Sequence, residues 1–219
     1  MADEAKSRLI VLEGPSGTGK STLQKHLAEN LESRGYRVGL LPEFSESPLG
    51  TMLQQASQVD KLLPDFLQNL SGALTYLADK TFLLEKALRE PNKIWIMDRF
   101  LISQDILGAH FIEQENSQDS LQQVIKQMKD WAEESFSDQS LLIVLNTSLP
   151  VLKERLEERL QHPLSKKDQK FLKTNIRAYQ QYPYNNYQWK KRFIPNEGSL
   201  EETIAILLGQ IVRSQAEVE

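Results

Sequence analysis

A stretch near the amino terminus combines glycines, a lysine and a hydroxyl residue in an order suited to binding phosphate. Residues 14–21 read Gly-Pro-Ser-Gly-Thr-Gly-Lys-Ser and fit the motif G-x-x-x-x-G-K-[ST]. Glycines let successive backbone N–H groups curl around an anion, and a helix starting there adds positive potential. Lys20 is expected to reach the β- and γ-phosphates of ATP, and Ser21 to offer an oxygen to Mg²⁺. The motif predicts a phosphate-binding loop (P-loop) whose ATP-binding residues are Gly14, Pro15, Ser16, Gly17, Thr18, Gly19, Lys20, Ser21 and Thr22.

A second charged motif follows an apolar run at 93–97, where Asp98 and Arg99 stand side by side. In a parallel sheet, ligands gather at the carboxyl ends of the strands, so this pair is expected beside the P-loop. Asp98 can orient Mg²⁺ or its waters, which makes Ser21 and Asp98 the candidate metal residues. Arg99 can hold a second phosphoryl group through bidentate hydrogen bonds. The alternative is that Asp98 only caps the following helix.

Two arginines, Arg155 and Arg159, are candidates for covering a transferred phosphoryl group. They lie four residues apart and therefore on one face of a predicted helix that starts near Pro150. Arginines so placed neutralise charge that builds up between a phosphate donor and its acceptor. The alternative is a set of surface ion pairs with the neighbouring glutamates 154, 157 and 158.

Short apolar runs alternate with longer helical patterns along the whole chain. Strands are predicted at 9–13, 37–41, 93–97, 141–145 and 192–195. Helices are predicted near 19–34, 65–90, 103–115, 117–136, 149–161, 167–181 and 199–214, with loops at 41–50 and 161–165. This alternation predicts an α/β fold of three layers, the P-loop NTPase fold, with a five-stranded parallel sheet. Residues 1–219 are expected to form a single domain.

Composition narrows the classes of protein. The chain has 219 residues and a net charge of −4, which argues against coating a nucleic acid polymer or an anionic membrane. It has no cysteine and three histidines, so disulfides, a thiol nucleophile and a transition-metal site are not expected. No apolar run is long enough to cross a bilayer, and the first residues do not read as an export signal. A cytoplasmic protein is expected.

The order of these motifs resembles the thymidylate kinases, within the P-loop nucleoside and nucleotide kinases. Thymidylate kinases typically carry EG-x-x-G-x-GK-[ST]-T, R-E-P-G-G-T-P-L-G, F-A-A-D-R, D-R-Y and E-R-L segments in this order. The corresponding stretches here are Glu13 to Thr22, Pro42 to Gly50, Tyr76 to Lys80, Asp98 to Phe100 and Glu154 to Leu156. The resemblance covers residues from about 9 to 159.

The resemblance implies transfer of the γ-phosphoryl group of ATP–Mg²⁺ to a nucleoside monophosphate such as dTMP. It implies an enzyme whose catalytic residues are Lys20, Asp98, Arg99, Arg155 and Arg159. Its acceptor-binding residues would be Glu43, Tyr76, Lys80 and Arg99, with Tyr76 stacking on the acceptor base. It further implies a homodimer through the long helix at 65–90 and a short lid near 160–170. The basic residues after Pro163 fit either that lid or a solvated helix face.

The acceptor side departs from the family pattern. The acidic side chain that usually lies in the P-loop is replaced by Ser16 or Pro15, and the family's second arginine becomes Lys80. The thymine-reading stretch is altered at 102–108. Two other functions therefore stay open. One is a kinase for a nucleoside or another small hydroxyl compound, with Glu43 as general base. The other is an ATP-binding regulatory protein with a degenerate acceptor site.

Overall fold

A computed structural model describes residues 6–57, 68–112 and 115–216. Five strands form one parallel sheet: Arg8–Glu13 (β1), Val38–Leu41 (β2), Ile94–Asp98 (β3), Leu141–Asn146 (β4) and Lys190–Pro195 (β5). Their order across the sheet is β2-β3-β1-β4-β5. The predicted five-stranded parallel sheet is confirmed. Because β1 has β3 on one side and β4 on the other, its carboxyl end lies in the middle of the sheet edge.

Eight helices cover this sheet in the described part of the chain. They are Lys20–Glu32 (α1), Pro48–Ser57 (α2), Leu70–Leu88 (α3), Leu101–Phe111 (α4), Glu115–Ser135 (α5), Leu149–Leu160 (α6), Lys166–Gln181 (α7) and Leu200–Ala216 (α8). A 3-10 turn spans Tyr184–Asn186. None of the described helices is both long and apolar enough to traverse a lipid bilayer.

Successive side chains along a strand point to opposite faces of the sheet, and each face carries its own hydrophobic core. Leu9 and Val11 point to the side packed by α3, α4 and α5, whereas Ile10 and Leu12 point to the side packed by α1 and α8. All four side chains are fully buried. A strand covered on both faces must be apolar at successive positions. The result is the predicted arrangement of helix, sheet and helix layers.

The predicted elements agree with the structure at most positions, with one clear exception. The prediction of a loop from 41 to 50 is wrong at its end, because α2 begins at Pro48. Proline suits the first turn of a helix, where its missing N–H costs nothing. Ser47 caps this helix, since its Oγ accepts a hydrogen bond of 3.0 Å from the amide of Gly50. The predicted helix at 65–90 is observed over Leu70–Leu88, and positions 65–67 lie outside the described residues.

Candidate active site

The P-loop follows the carboxyl end of β1 and leads directly into α1. Gly17 and Gly19 have φ angles of 87° and 80°, in the left-handed region where side chains are disfavoured. A Cβ at Gly17 would lie 2.9 Å from Leu156 Cγ, so helix α6 rests on the loop at this point. Asn196, which follows β5, donates a hydrogen bond from its side chain to the carbonyl of Thr18. The loop is therefore held by backbone geometry and by two distant segments.

The side chain of Lys20 is folded back onto the P-loop. Its Nζ donates to the carbonyl oxygens of Gly14 at 3.0 Å and Pro15 at 2.9 Å. Burial, together with the nearby guanidinium of Arg99, lowers the pKa of Lys20 to about 8 against the opposing effect of Asp98 and other carboxylates. A phosphate group at the loop would replace these carbonyl contacts with a charge-assisted hydrogen bond.

Ser21 and Asp98 meet across the site although they are far apart in the sequence. Ser21 Oγ donates to Asp98 Oδ2 at 2.5 Å. The other carboxylate oxygen of Asp98, Oδ1, is buried and has no hydrogen-bond partner among the described residues. A hydroxyl and a carboxylate with a free buried oxygen form the kind of oxygen donor set that Mg²⁺ prefers. The donor set that the sequence predicted thus fits the ion.

Arg99 connects the P-loop with the segment after β2. Its guanidinium donates to the carbonyl of Gly14 and to Ser16 Oγ, both at 3.2 Å. On its other side, Arg99 Nε lies 2.9 Å from a carboxylate oxygen of Glu43. Burial alone would lower the pKa of Arg99, but Glu43 and other acidic groups raise it above its usual value. Arg99 is therefore a permanent cation between the two predicted substrate sites.

Lys80 and Tyr76 lie on α3 beneath this ion pair, and both are almost completely buried. Lys80 Nζ donates to the carbonyl of Asp98 at 2.9 Å and to that of Pro42 at 3.3 Å. It also lies 5.1 Å from the centre of the Tyr76 ring. Burial lowers the pKa of Lys80 to about 8 despite the carboxylate of Glu43. The amine is thus engaged with the main chain after β2 and β3.

Arg155 and Arg159 lie on α6 on either side of Leu156, the residue that contacts Gly17. Arg155 is half-buried and Arg159 is exposed. Neither forms an ion pair with a carboxylate in the described ranges, and Glu157 instead lies 3.8 Å from Lys153. The surface ion pairs that were the alternative for these arginines are therefore not formed. The predicted contact of both arginines with a transferred phosphoryl group stays a prediction.

Sequence reasoning missed the acidic side chains that hold these elements together. Asp79 is buried and accepts hydrogen bonds from the backbone amide of Ser45 at 2.9 Å and from Ser47 Oγ at 3.3 Å. It thereby fixes the segment that carries Glu43. Glu13 is buried at the end of β1 and contacts α4. The signal that could have identified them is a single carboxylate within an otherwise apolar stretch of sequence. Such a carboxylate is buried only where hydrogen-bond partners compensate for its lost hydration.

Most of the predicted site residues form one connected group, and Arg155 and Arg159 flank it on α6. The P-loop, Ser21, Asp98, Arg99 and Glu43 are joined by direct contacts, with Lys80 and Tyr76 packed against them. Thr22 is exposed in the first turn of α1. The predicted lid near 160–170 comprises the end of α6, the connection 161–165 and the beginning of α7, which starts at Lys166. Its motion stays a prediction.

A model of the thymidylate kinase family matches residues 12–203. The chain belongs to the thymidylate kinase family. A relative from Thermococcus kodakarensis named "Probable thymidylate kinase" is 34% identical over 101 residues, covering 43% of this chain and 49% of the relative. The chain therefore spans about half the length of the curated relatives it matches. The sequence resemblance to thymidylate kinases is confirmed.

Two solved structures share the fold of this thymidylate kinase family member. A thymidylate kinase from Candida albicans has a TM-score of 0.61 at 16% identity, covering 98% of this chain and 94% of its own. A deoxyadenosine kinase from M. mycoides with bound dATP also has a TM-score of 0.61, at 19% identity, covering 93% of this chain and 98% of its own. At these identities the likeness concerns the fold.

Proposed function

We propose that this protein transfers the γ-phosphoryl group of ATP–Mg²⁺ to a nucleoside monophosphate, with dTMP as the preferred acceptor. The observation that carries the proposal is the position of Arg99. Its guanidinium contacts Gly14 and Ser16 of the P-loop on one side and Glu43 on the other, 2.9 Å away. A fixed cation at this point can hold an acceptor phosphate next to the donor's terminal phosphate. Membership of the family supports the choice of acceptor.

In the proposed reaction, a phosphate oxygen of the acceptor attacks the γ-phosphorus of ATP. The bond from that phosphorus to the β–γ bridging oxygen breaks, and ADP leaves with the electron pair. Lys20 and the P-loop amides hold the donor, and Arg99 holds the acceptor. Arg155 and Arg159 cover the transferred group as the predicted lid near 160–170 closes. Because the attacking oxygen is already an anion, no general base is needed. Catalysis then rests on positioning and on neutralising charge.

Mg²⁺ would be held by Ser21 and Asp98, whose hydroxyl and carboxylate oxygens suit it. When bound there, Mg²⁺ would neutralise part of the negative charge on the ATP phosphates. We also propose that residues 1–219 act as one domain. The homodimer through α3 implied by the resemblance stays a prediction.

A hydroxyl acceptor is the second candidate, and the ion pair between Glu43 and Arg99 favours it. A carboxylate that already neutralises Arg99 competes with an incoming phosphate dianion. The same carboxylate could take a proton from a nucleoside hydroxyl. The two candidates therefore assign opposite roles to Glu43: competitor for a phosphate acceptor, or general base for a hydroxyl acceptor.

The test is an ATP-consumption assay with dTMP and thymidine side by side, for the wild type and Glu43→Gln. Under the dTMP proposal the wild type turns over dTMP, and Glu43→Gln lowers the KM for dTMP by about threefold because a competing negative charge is removed. Turnover of thymidine alone, with a loss of about a hundredfold or more in kcat in Glu43→Gln, would support the hydroxyl acceptor instead. ATP binding without transfer to any acceptor would leave the regulatory alternative.

A further inference from the structure

Glu13 is a buried carboxylate at the last position of β1, immediately before the P-loop. It has no exposed surface, and the hydrogen-bond donors that the described residues offer it are backbone amides and hydroxyl groups. A carboxylate in such a place needs several hydrogen-bond donors to offset its lost hydration. These donors come from α4 and from α7, two helices that are distant in the sequence. The positions of these donors indicate what each oxygen of Glu13 does in the fold.

The first oxygen of Glu13 caps α4. Phe100 occupies the N-cap position of this helix and has an apolar side chain that cannot accept a hydrogen bond. Glu13 Oε1 accepts the amide hydrogen of Phe100 at 2.8 Å and that of Ser103, the third helical residue, at 3.4 Å. The amide of the third residue is one that a capping side chain normally satisfies. Glu13 therefore supplies from β1 the cap that the sequence of α4 lacks.

The second oxygen of Glu13 reaches Arg99 through one side chain. Glu13 Oε2 accepts from Ser103 Oγ at 2.7 Å, and Ser103 Oγ accepts from Arg99 Nη1 at 3.1 Å. The hydroxyl of Tyr179 on α7 donates to the same carboxylate oxygen at 2.9 Å. The guanidinium is thus linked to a buried negative charge by a single hydroxyl group, in addition to its own contacts with the P-loop.

The backbone of Arg99 also needs support from β1. Its φ angle is 60°, a left-handed conformation that is sterically disfavoured for a residue with a Cβ. The amide of Arg99 donates to the carbonyl of Leu12 at 3.0 Å, and the next amide, that of Phe100, donates to Glu13. The last two residues of β1 therefore hold the two successive amides on which this conformation depends.

We propose that Glu13 is a positioning residue for the phosphate acceptor. By capping α4 from β1 and by fixing Ser103, it holds Arg99 in the left-handed conformation that aims its guanidinium between the P-loop and the acceptor. The proposal rests on the proposed function for its kinetic consequence. Its structural part, that Glu13 maintains the conformation of Arg99, does not depend on turnover.

The test variant is Glu13→Gln, which keeps the side-chain shape and removes the charge. Ser140→Ala is the matched control, because Ser140 Oγ accepts the amide of Leu9 in a buried hydrogen bond of 2.9 Å at the other end of β1. We expect Glu13→Gln to lower kcat/KM for dTMP by about tenfold, with the Kd for ATP changed by less than about twofold. Ser140→Ala is expected to lower thermal stability without this selective loss.

A double mutant separates positioning from general damage. If Glu13 acts through Arg99, Glu13→Gln has little further effect on dTMP kinetics once Arg99→Ala is present. An additive tenfold loss in that background would overturn the proposal. Tyr179→Phe, which removes one hydroxyl from the same carboxylate and keeps the ring, serves as a milder variant should Glu13→Gln fold poorly. It is expected to show the same selective loss at about threefold.

Two measurements need no substrate. Amide hydrogen exchange at Phe100 is expected to be at least about tenfold faster in Glu13→Gln than in the wild type, and unchanged in Ser140→Ala. A crystal structure of Glu13→Gln should show Arg99 displaced from Gly14 and Ser16. If the wild type phosphorylates no monophosphate, the proposed function fails while these results still decide the role of Glu13. Unchanged amide exchange at Phe100 and an unmoved Arg99 in Glu13→Gln would overturn the proposed role of Glu13.

Discussion

The two halves of the site are built in different ways. The proposed donor half consists of consecutive residues, 14–22, on one strand–loop–helix unit. The proposed acceptor half draws Glu43, Tyr76, Lys80 and Arg99 from three separate segments that meet because β2 and β3 are neighbours in the sheet. A motif made of consecutive residues carries its own geometry. A site assembled across strands depends on the packing that brings its parts together.

This difference explains why the halves depart from the family pattern to different degrees. A cradle of backbone amides accepts few substitutions, because it needs positive φ angles at glycines such as Gly17 and Gly19. The acceptor half uses side chains, and each of them can be exchanged for another that keeps the surrounding contacts. Lys80, for example, stands where the resemblance has an arginine and bonds to the carbonyls of Pro42 and Asp98. Substitutions in one half at a time test whether donor binding and acceptor binding depend on separate residues.

The largest effect is expected from Lys20→Ala, which removes the cation of the donor half. Phosphoryl transfer should fall by about 10³-fold, because the terminal phosphates of ATP lose their charged contact. Steady-state kinetics and a titration with ATP measure the loss. Lys25→Ala, an exposed lysine on the same helix, is the control and should behave as the wild type. Equal activity of the two variants would contradict the assigned role of Lys20.

Arg99→Ala is expected to affect mainly the acceptor half. We expect kcat/KM for dTMP to fall by about a hundredfold, since a buried charge-assisted contact with the acceptor phosphate is lost. The Kd for ATP should change by less than about threefold in a calorimetric titration, even though Arg99 also touches the P-loop. Arg89→Ala, at the exposed end of α3, is the control. A larger loss in ATP affinity than in acceptor use would show that Arg99 belongs to the donor half.

The smallest expected effect is a pH dependence of ATP binding, which depends on the donor half. Below pH 8 Lys20, whose pKa is lowered to about 8 by burial, is protonated before and after ATP binds, so the affinity is constant. Above pH 8 the free protein carries neutral Lys20 and must take up a proton to bind, so the Kd for ATP should rise by up to about tenfold per pH unit.

Calorimetry in buffers with different ionisation enthalpies measures the proton uptake. Lys20→Arg serves as the comparison, because arginine stays charged over this range and should give a flatter profile at lower overall affinity. A steep profile in Lys20→Arg would assign the titration to another group.

Most of the framework could be predicted from the sequence because its signals are local. The strand before the P-loop, the helical pattern at 65–90 and the alternation of strands and helices that predicts a parallel sheet each depend on residues that are close together in the sequence. A loop is expected up to residue 50 because proline and glycine are typical of loops, but Pro48 occupies the first turn of α2. The capping role of Glu13 could not be predicted, because its partners Phe100 and Tyr179 lie far away in the sequence.

The P-loop, the positions of the strands along the chain and the aspartate–arginine pair after an apolar run are all evident from the amino-acid sequence. The pairing of Arg99 with Glu43, the contact of the Lys80 amine with backbone carbonyls and the capping of a distant helix by Glu13 become visible in the folded protein. A backbone motif is specified by the conformational preferences of neighbouring residues. A buried charge is specified by whichever donors and counter-charges the folded chain brings to it.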